Sequence, residues 1–499
     1  MQPNDDQGRE SMIRSGFDTE ADTSPYRFNW TSLLAHVRSR PSHHAGEFDT
    51  RNIFEQDYHR IIMSASFRRL QDKTQVFPLD RSDFIRTRLT HSLEVSSLAR
   101  SLGQNIAHEV YFRSLDAGMT ARVVTEICDL LLAAGLLHDI GNPPFGHYGE
   151  TTIRDWFGVN LSRIEFNGQT LDRLLSPQMQ ADFLNFEGNA QALRLLTKLH
   201  FLVDEHGMNL TIPTLATLIK YPQRSTEVDP EHPDISRRKM GYFFAEEELF
   251  SRICEVTGTG NRRHPLTYVL EAADDISYRT ADIEDAFKKH HFTFGELRDH
   301  LYSSKRLEHA SDDQKDIYLR QVQLLERLRE EARINKYEKP ELYAIQNWVV
   351  RVQSQLITAA AGVFCDHYSE IMNGEFTGDI LHEPDGGLML ETLGDIAIEQ
   401  VFRSRTIVQM EISAHKIISS LLDKFIPACI YWDTDIGQTS LEPRLMSIVS
   451  DNYKQAYYRN SEGADEVTKL YLRLLLVTDY ICGMTDSFAK DLYQQMNGI

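Results

Sequence analysis

The sequence predicts a mainly α-helical protein: a multi-helix globular body with long insertions and a helical C-terminal part. Three observations carry that prediction. Apolar residues recur with the 3.6-residue period of a helix face through most of the chain, as at Val95, Leu98 and Leu102. The two-residue alternation of a half-buried strand is scarce, with 207–213 and Tyr242-Phe243-Phe244 the only short candidates. Clusters of Pro, Gly and polar residues at 222–241, 257–265, 373–386 and 434–444 separate the periodic stretches as loops.

Residues 1–48 are polar, rich in Ser, Asp and Arg, with Trp30 and Leu33-Leu34 as apolar anchors. They predict a partly ordered arm with one short helix near the Trp. From Asp49 onward helical spacing takes over. The stretches 90–102, 124–137, 187–206 and 266–289 make a core over 49–295. Ser303-Ser304-Lys305-Arg306 interrupts the pattern and places a boundary near 295–310. Beyond it, 313–333, 338–374, 387–402, 405–425 and 465–496 predict a helical part, 296–499, packed on that core. There is no internal repeat and no low-complexity tract.

Bulk composition narrows the function. A hydrophobic content of 41% over 499 residues is ample for a large core. The formal net charge of -20 argues against binding nucleic acid through the overall field, yet permits a local basic pocket for a phosphorylated ligand. Cys128, Cys254, Cys365, Cys429 and Cys482 are odd in number and lack CxxC spacing, which fits a reduced, intracellular setting. No apolar run reaches membrane-spanning length, and the N-terminus has no apolar signal core. A soluble cytoplasmic protein with no membrane partner is expected.

The chemistry concentrates in His138-Asp139-Ile140-Gly141-Asn142-Pro143-Pro144-Phe145-Gly146-His147-Tyr148-Gly149-Glu150. The apolar helix pattern of 130–137 runs straight into it, so the His-Asp pair sits at a buried helix end. Burying such groups is costly unless a cation compensates them. Adjacent imidazole and carboxylate suit a divalent cation of intermediate hardness. His91, near a helix start, and Asp274, bracketed by Ala-Ala and Ile in a core-like helix, complete a candidate ligand set of His91, His138, Asp139 and Asp274. Two His and two Asp neutralise one divalent ion and leave positions open, as a catalytic site requires.

Downstream, the prolines and Gly146 end the turn, so a new helix begins at His147. A spacing of three then stacks His147 and Glu150 on one face, where a carboxylate can orient an imidazole for proton transfer. The rival reading of Glu150 is an acidic first-turn residue on the helix dipole. Asp274, Tyr278 and Asp282 follow i, i+4, i+8 along one helix face. A bound polyphosphate also needs local cations; Arg88, three residues before His91, is the strongest candidate. His43-His44 and His290-His291 lack a carboxylate at useful spacing and read as surface histidines.

The H…HD…D order with these flanks resembles the HD-domain phosphohydrolases. Five segments resemble, more narrowly, the deoxyguanosine-triphosphate triphosphohydrolases: Arg69 to Pro78, Arg86 to Ser92, His138 to His147, Phe186 to Gln191 and Asp479 to Asp486. The resemblance implies hydrolysis of dGTP, or of other dNTPs, to deoxynucleoside and inorganic triphosphate, by attack at the α-phosphorus with a divalent metal, Mg²⁺ or Mn²⁺. It implies that His147 and Glu150 are the catalytic pair and that Gln75, Tyr278 and Asp282 lie against the sugar. A Tyr278 ring over C2′ would leave no room for a 2′-hydroxyl. It implies phosphate contacts from Lys220, Tyr221 and Lys239, with Asn189 and Gln191 lining the phosphates or the metal's outer shell. Some HD relatives carry a catalytic His in that last region; here the place holds Glu187-Gly188-Asn189, which puts a second histidine role in doubt. The resemblance places the 479–486 segment near the base or a subunit contact. It also implies a homo-oligomer open to modulation by nucleotides or single-stranded DNA. The alternatives are an HD phosphohydrolase acting on other nucleotides and a nucleotide- or DNA-sensing regulatory protein.

Overall fold

Many helices in this chain start where a side-chain oxygen meets an open backbone amide. In the computed structural model, which describes residues 25–40, 49–77, 79, 85–200, 206–381 and 387–499, Asn52 and Glu55 form a capping box on the Ile53–Ile62 helix. Thr87 and Thr90 do the same for Arg88–Phe112, and Thr120 caps Ala121–Leu137. Pro265 opens Pro265–Lys288, where its missing N–H costs nothing.

The predicted α class is what the chain adopts. Arg88–Phe112 and Ala121–Leu137 pack along their lengths, and Pro265–Lys288 crosses the first of them. Pro340–Asp366 lies against Arg88–Phe112, Pro265–Lys288 and Asp312–Ile334, while Arg405–Ile430 joins His147–Asn160 to Glu466–Cys482. Apolar side chains from Phe28 to Leu492 form one continuous core. Each fully buried Leu or Ile in it contributes about 1.5–3 kcal/mol. No helix among the described residues is long and apolar enough to cross a membrane.

The two central helices touch closely because glycines face the contact. A Cβ on Gly135 would lie 2.4 Å from Ser96 Cα, and one on Gly103 would lie 2.2 Å from Leu131 Cδ1. Ser96 Oγ donates to the Leu132 carbonyl at 2.6 Å across the same seam.

Several expectations need correction. Tyr242-Phe243-Phe244 is not a strand: Tyr242 stacks on Phe250 at 4.1 Å, Phe243 packs on Phe186, and Phe244 opens a short 3-10 turn. Nor is 207–213. Its one ladder contact is the Arg38–Thr211 bridge, and the helix Ile212–Leu218 follows. Buried Asp57 accepts from the Thr211 amide at 2.9 Å and its hydroxyl at 2.7 Å, which satisfies this backbone without a sheet. The sheet observed among the described residues is a hairpin, Glu165–Phe166 with Gln169–Thr170. Its Asn167-Gly168 turn, both residues at positive φ, is a hairpin signal that the helical reading passed over.

Boundaries also moved. The stretch 187–206 yields Gly188–Arg194 and a wide turn, Leu195–Leu199. The stretch 338–374 splits at His367, and 465–496 splits at Gly483, where a Cβ would meet the Tyr453 hydroxyl at 1.8 Å. The short helix near Trp30 exists as Trp30–Leu33, and Trp30 Nε1 donates to the Tyr368 hydroxyl at 3.0 Å. Most of the N-terminal arm, with His43-His44, lies outside the described residues.

Replacing Gly135 by Ala should lower unfolding free energy in urea by about 1–3 kcal/mol, because backbone of the facing helix is the obstacle. Gly362→Ala, with nothing within 4 Å of the new methyl, should instead raise it by about 0.5–1 kcal/mol. Equal effects at the two sites would contradict the helix seam described above.

Candidate functional site

Because Thr87 fixes the start of Arg88–Phe112, Arg88 and His91 share one face, and both are buried. Ala121–Leu137 ends one residue before His138, and the chain then turns tightly through 138–146. Phe145 and Gly146 both adopt positive φ, at 63° and 62°. Gly146, at φ 62° and ψ -136°, holds backbone that favours glycine, and the absence of a Cβ lets Arg88 Nη2 come close. His147 opens the next helix, His147–Asn160.

The two imidazoles meet edge to face, with centroids 5.1 Å apart. Asp274 Oδ1 lies 3.1 Å from His91 Nε2 and 3.4 Å from His138 Nε2. Ligand atoms of His91, His138 and Asp274 all fall within 4.8 Å of one another. His138 Nδ1 donates to the Gly135 carbonyl at 2.8 Å, since a carbonyl only accepts. Its Nε2 is buried without a hydrogen-bond partner and faces Asp274 and Asp139; burial presses the pKa of the ring down, and the charges of the two carboxylates raise it above its ordinary value. A ring held through Nδ1 by a backbone carbonyl, with Nε2 turned toward carboxylates, is the usual setting of a metal-binding histidine, whose Nε2 gives up its proton when a cation binds. His91 Nδ1 faces Ser277 Oγ at 3.4 Å in a matching outer contact. These residues fit a divalent cation.

Asp139, expected as a fourth ligand, stands slightly apart. Its Oδ2 pairs with Arg88 Nη1 and lies 3.6 Å from His138 Nε2, while Oδ1 accepts from Asn142 Nδ2 at 2.6 Å. Burial presses its carboxyl up, but the Arg88 guanidinium and His138 hold it well below the usual range. Arg88, expected at the phosphates, is here the counter-charge of Asp139. Asp274 shows the same balance: burial raises it, and His138 and Lys220 hold it far below its ordinary value. Lys220 Nζ lies 3.4 Å from Asp274 Oδ2.

His147 is brought to Glu150 as its spacing predicts, with Nδ1 3.3 Å from Oε2. The imidazole is 75% exposed while the carboxylate is 2% exposed. The hydrogen bond and charge of Glu150 raise the pKa of His147. Glu150 is pushed up by burial and brought below its ordinary value by His147. Its other oxygen, Oε1, accepts from the Gly188 amide at 3.1 Å, so Glu150 is more than a first-turn acid on its own helix. A Cβ on Gly188 would lie 2.6 Å from that oxygen, which reserves the position for glycine.

The remaining contacts sort unevenly. Lys239 Nζ pairs with Glu187 Oε2 at 3.1 Å, and Asn189 Nδ2 donates to Glu187 Oε1 at 2.5 Å. The Tyr221 ring has Lys239 and Arg263 each 5.8 Å from its centroid. Gln191 does not join them; it is buried and donates to Asp479 Oδ1 at 2.9 Å. On the Pro265–Lys288 helix, Tyr278 accepts from Arg279 Nε at 3.1 Å. Asp282 Oδ2 and Gln75 Oε1 are both buried acceptors without a partner. Burial, with Asp285 nearby, pushes the Asp282 carboxyl up to about 8.

The 479–486 segment, placed by resemblance near the base or a subunit contact, braces the site within the chain. Asp479 takes Arg194 through Nε at 2.9 Å and Nη2 at 2.8 Å. Asp486 Oδ1 accepts from the Phe145 amide at 2.9 Å, and Oδ2 from the Thr74 amide at 3.0 Å and the Thr74 hydroxyl. Buried Lys73 donates to the Asn142 carbonyl at 2.6 Å and the Cys482 carbonyl at 2.7 Å. Lys73, Asn142, Glu187 and Asp486 escaped the sequence reading of roles. No local signal marked them: Lys73 sits among Gln71, Asp72, Thr74 and Gln75, and Asp486 opens a helix like any first-turn acid. His290 is exposed as expected, whereas His291 stacks on Phe77 at 5.4 Å.

A family model described as an HD domain matches residues 88–179, the segment that carries His91, the 138–147 turn and His147. A deoxyguanosinetriphosphate triphosphohydrolase-like protein of Listeria monocytogenes is 44% identical over 476 residues, covering 94% of this chain and 99% of its own. One of the same name from Synechocystis is 34% identical, covering 94% and 99%. A deoxyguanosinetriphosphate triphosphohydrolase of Klebsiella pneumoniae is 34% identical, covering 91% of this chain and 95% of its own.

Replacing His138 by Ala should weaken binding of Mn²⁺ by at least about tenfold in calorimetry, and His91→Ala should do the same. Unchanged affinity in both variants would move the metal away from this cluster.

Proposed function

The chain belongs to the deoxyguanosinetriphosphate triphosphohydrolase family of HD-domain hydrolases, and on that premise we propose its reaction. It hydrolyses a deoxynucleoside triphosphate, dGTP foremost, to deoxynucleoside and inorganic triphosphate. Water attacks the α-phosphorus, the bond to the 5′-oxygen breaks, and the triphosphate departs with the new oxygen. The observation that supports this reading most is an exposed histidine held by a buried carboxylate beside the His91, His138 and Asp274 cluster.

A divalent cation, Mg²⁺ or Mn²⁺, held by His91, His138, Asp139 and Asp274 would supply charge neutralisation and Lewis-acid polarisation at the phosphate. The side chains do the rest. Glu150 favours the protonated form of His147, which suits His147 to give its proton to the departing 5′-oxygen. Lys220 and Lys239 each bring a cation already held by a carboxylate, Asp274 and Glu187, so little ordering is needed when phosphate oxygens arrive. Arg88 can turn its fork from Asp139 to a phosphate; Tyr221 and Asn189 flank Lys239 and Glu187. At the sugar, the unpartnered oxygens of Gln75 and Asp282 suit the 3′-hydroxyl, and the Tyr278 ring blocks a 2′-hydroxyl. The proposal includes a cytoplasmic homo-oligomer modulated by nucleotides or single-stranded DNA. With a net charge of -20, any DNA contact needs a local basic groove and weakens steeply with salt.

Incubation with each of the four dNTPs and either metal should release intact triphosphate; pyrophosphate or orthophosphate as first product would overturn the reading. His147→Ala should lower kcat by about 10²–10⁴-fold while Mn²⁺ still binds. Tyr278→Ala should raise kcat/KM for GTP relative to dGTP by about tenfold or more; an unchanged ratio would remove Tyr278 from sugar selection.

A further inference from the structure

We propose that Asp486 is a positioning residue for the reaction, holding the Gln75 segment and the His147 turn in one fixed register. The inference rests on the function proposed above for those two residues, and adds a role for a C-terminal side chain far from both in sequence.

Asp486 is 1% exposed, and its three hydrogen bonds all leave its own segment. Two go to Thr74, the residue before Gln75, and one goes to Phe145, two residues before His147. Phe145 sits at φ 63°, a conformation a bulky side chain adopts only when its surroundings impose it. The Asp486 carboxylate is the group that captures the amide of that residue. Thr74, for its part, forms a bridge with Thr87 at the start of the helix that carries Arg88 and His91. One carboxylate therefore spans the backbone beside the proposed sugar contact and the backbone beside the proposed proton donor.

An acid in the first turn of a helix often serves only its own helix. Here the Asp486–Asn497 helix is capped by Thr485, whose Oγ accepts from the Phe488 amide at 3.3 Å, and the Asp486 oxygens bond to Thr74 and Phe145 instead. Lys73 repeats the stitch with opposite charge, joining the Asn142 and Cys482 carbonyls. Asn142 in turn holds Asp139. The segments 73–75, 138–147 and 482–486 thus form a single braced unit.

The test compares Asp486→Ala and Asp486→Asn with Asp116→Asn. The last is a buried control whose carboxylate bonds Gly118 N at 2.7 Å and the Tyr368 hydroxyl at 2.8 Å, on other elements. Hydrogen exchange should show faster exchange at the Thr74 and Phe145 amides in the Asp486 variants and not in the control. On whichever nucleotide the wild type cleaves, Asp486→Ala should lower kcat about 10- to 100-fold and raise KM together. Asp486→Asn should fall between, since its one carbonyl oxygen still accepts. Combined with His147→Ala, the Asp486→Ala defect in kcat should shrink to less than the product of the two. Wild-type exchange rates at both amides, or an equal kinetic defect in Asp116→Asn, would overturn the proposal. If Asp486→Ala fails to fold, the same criteria apply to Asp486→Asn. The exchange measurement needs no substrate, so failure of the triphosphate product assay strikes the proposed reaction and leaves the exchange result to judge the brace.

Discussion

The site exists because two helices can approach at Gly135 and Ser96 more closely than side chains normally permit. His91 lies on one of these helices and His138 just past the end of the other, so the missing Cβ at Gly135 sets how near the imidazoles come. Gly135 also lends its carbonyl to His138 Nδ1, which fixes the ring that the contact brings close. The spacing of the cluster and the orientation of one of its rings thus trace to one residue that has no side chain. Packing density makes such a contact intolerant of even a methyl group, since nothing around it can yield cheaply.

The second principle of the site is paired charge. A chain with a net charge of -20 keeps Arg88, Lys220, Lys239 and Arg263 here, and each faces a carboxylate: Asp139, Asp274, Glu187 and Glu271. Buried or half-buried cations without partners would be costly, whereas paired ones are held in place. Glu150 plays the complementary part, its burial offset by His147, the Gly188 amide and the nearby charges of Lys239 and Arg154.

Much of this was legible in the chain itself. Helices with clear apolar period and strong caps, such as Ala121–Leu137 and Pro265–Lys288, came within a few residues of their observed limits. His138 and Asp274 were legible because ionisable residues stand out against apolar neighbours, His91 only once the His138-Asp139 pair was set beside it, and His147 with Glu150 because a spacing of three stacks them on one helical face. What was not legible depended on tertiary partners. Nothing local distinguishes Asp486 from any first-turn acid, or Gln191 from a ligand contact, until Thr74, Phe145 and Asp479 are placed beside them. Tyr242 to Phe244 misled because aromatic runs suit strands and buried loops alike.

The order in which the chain is made gives the Lys73 bond a further meaning. Its acceptor at Cys482 lies 409 residues later in the sequence. A ribosome releases the HD segment, with its histidines and its turn, long before the residues that close around that turn have been synthesised. The nascent helices can collapse early on local contacts, but the turn stays unbraced until residues 482–486 emerge and dock. Hydrolytic competence then arrives late in biogenesis, after residues 482–486 have docked, so a translation product interrupted before them would carry the His-Asp signature without the brace around it.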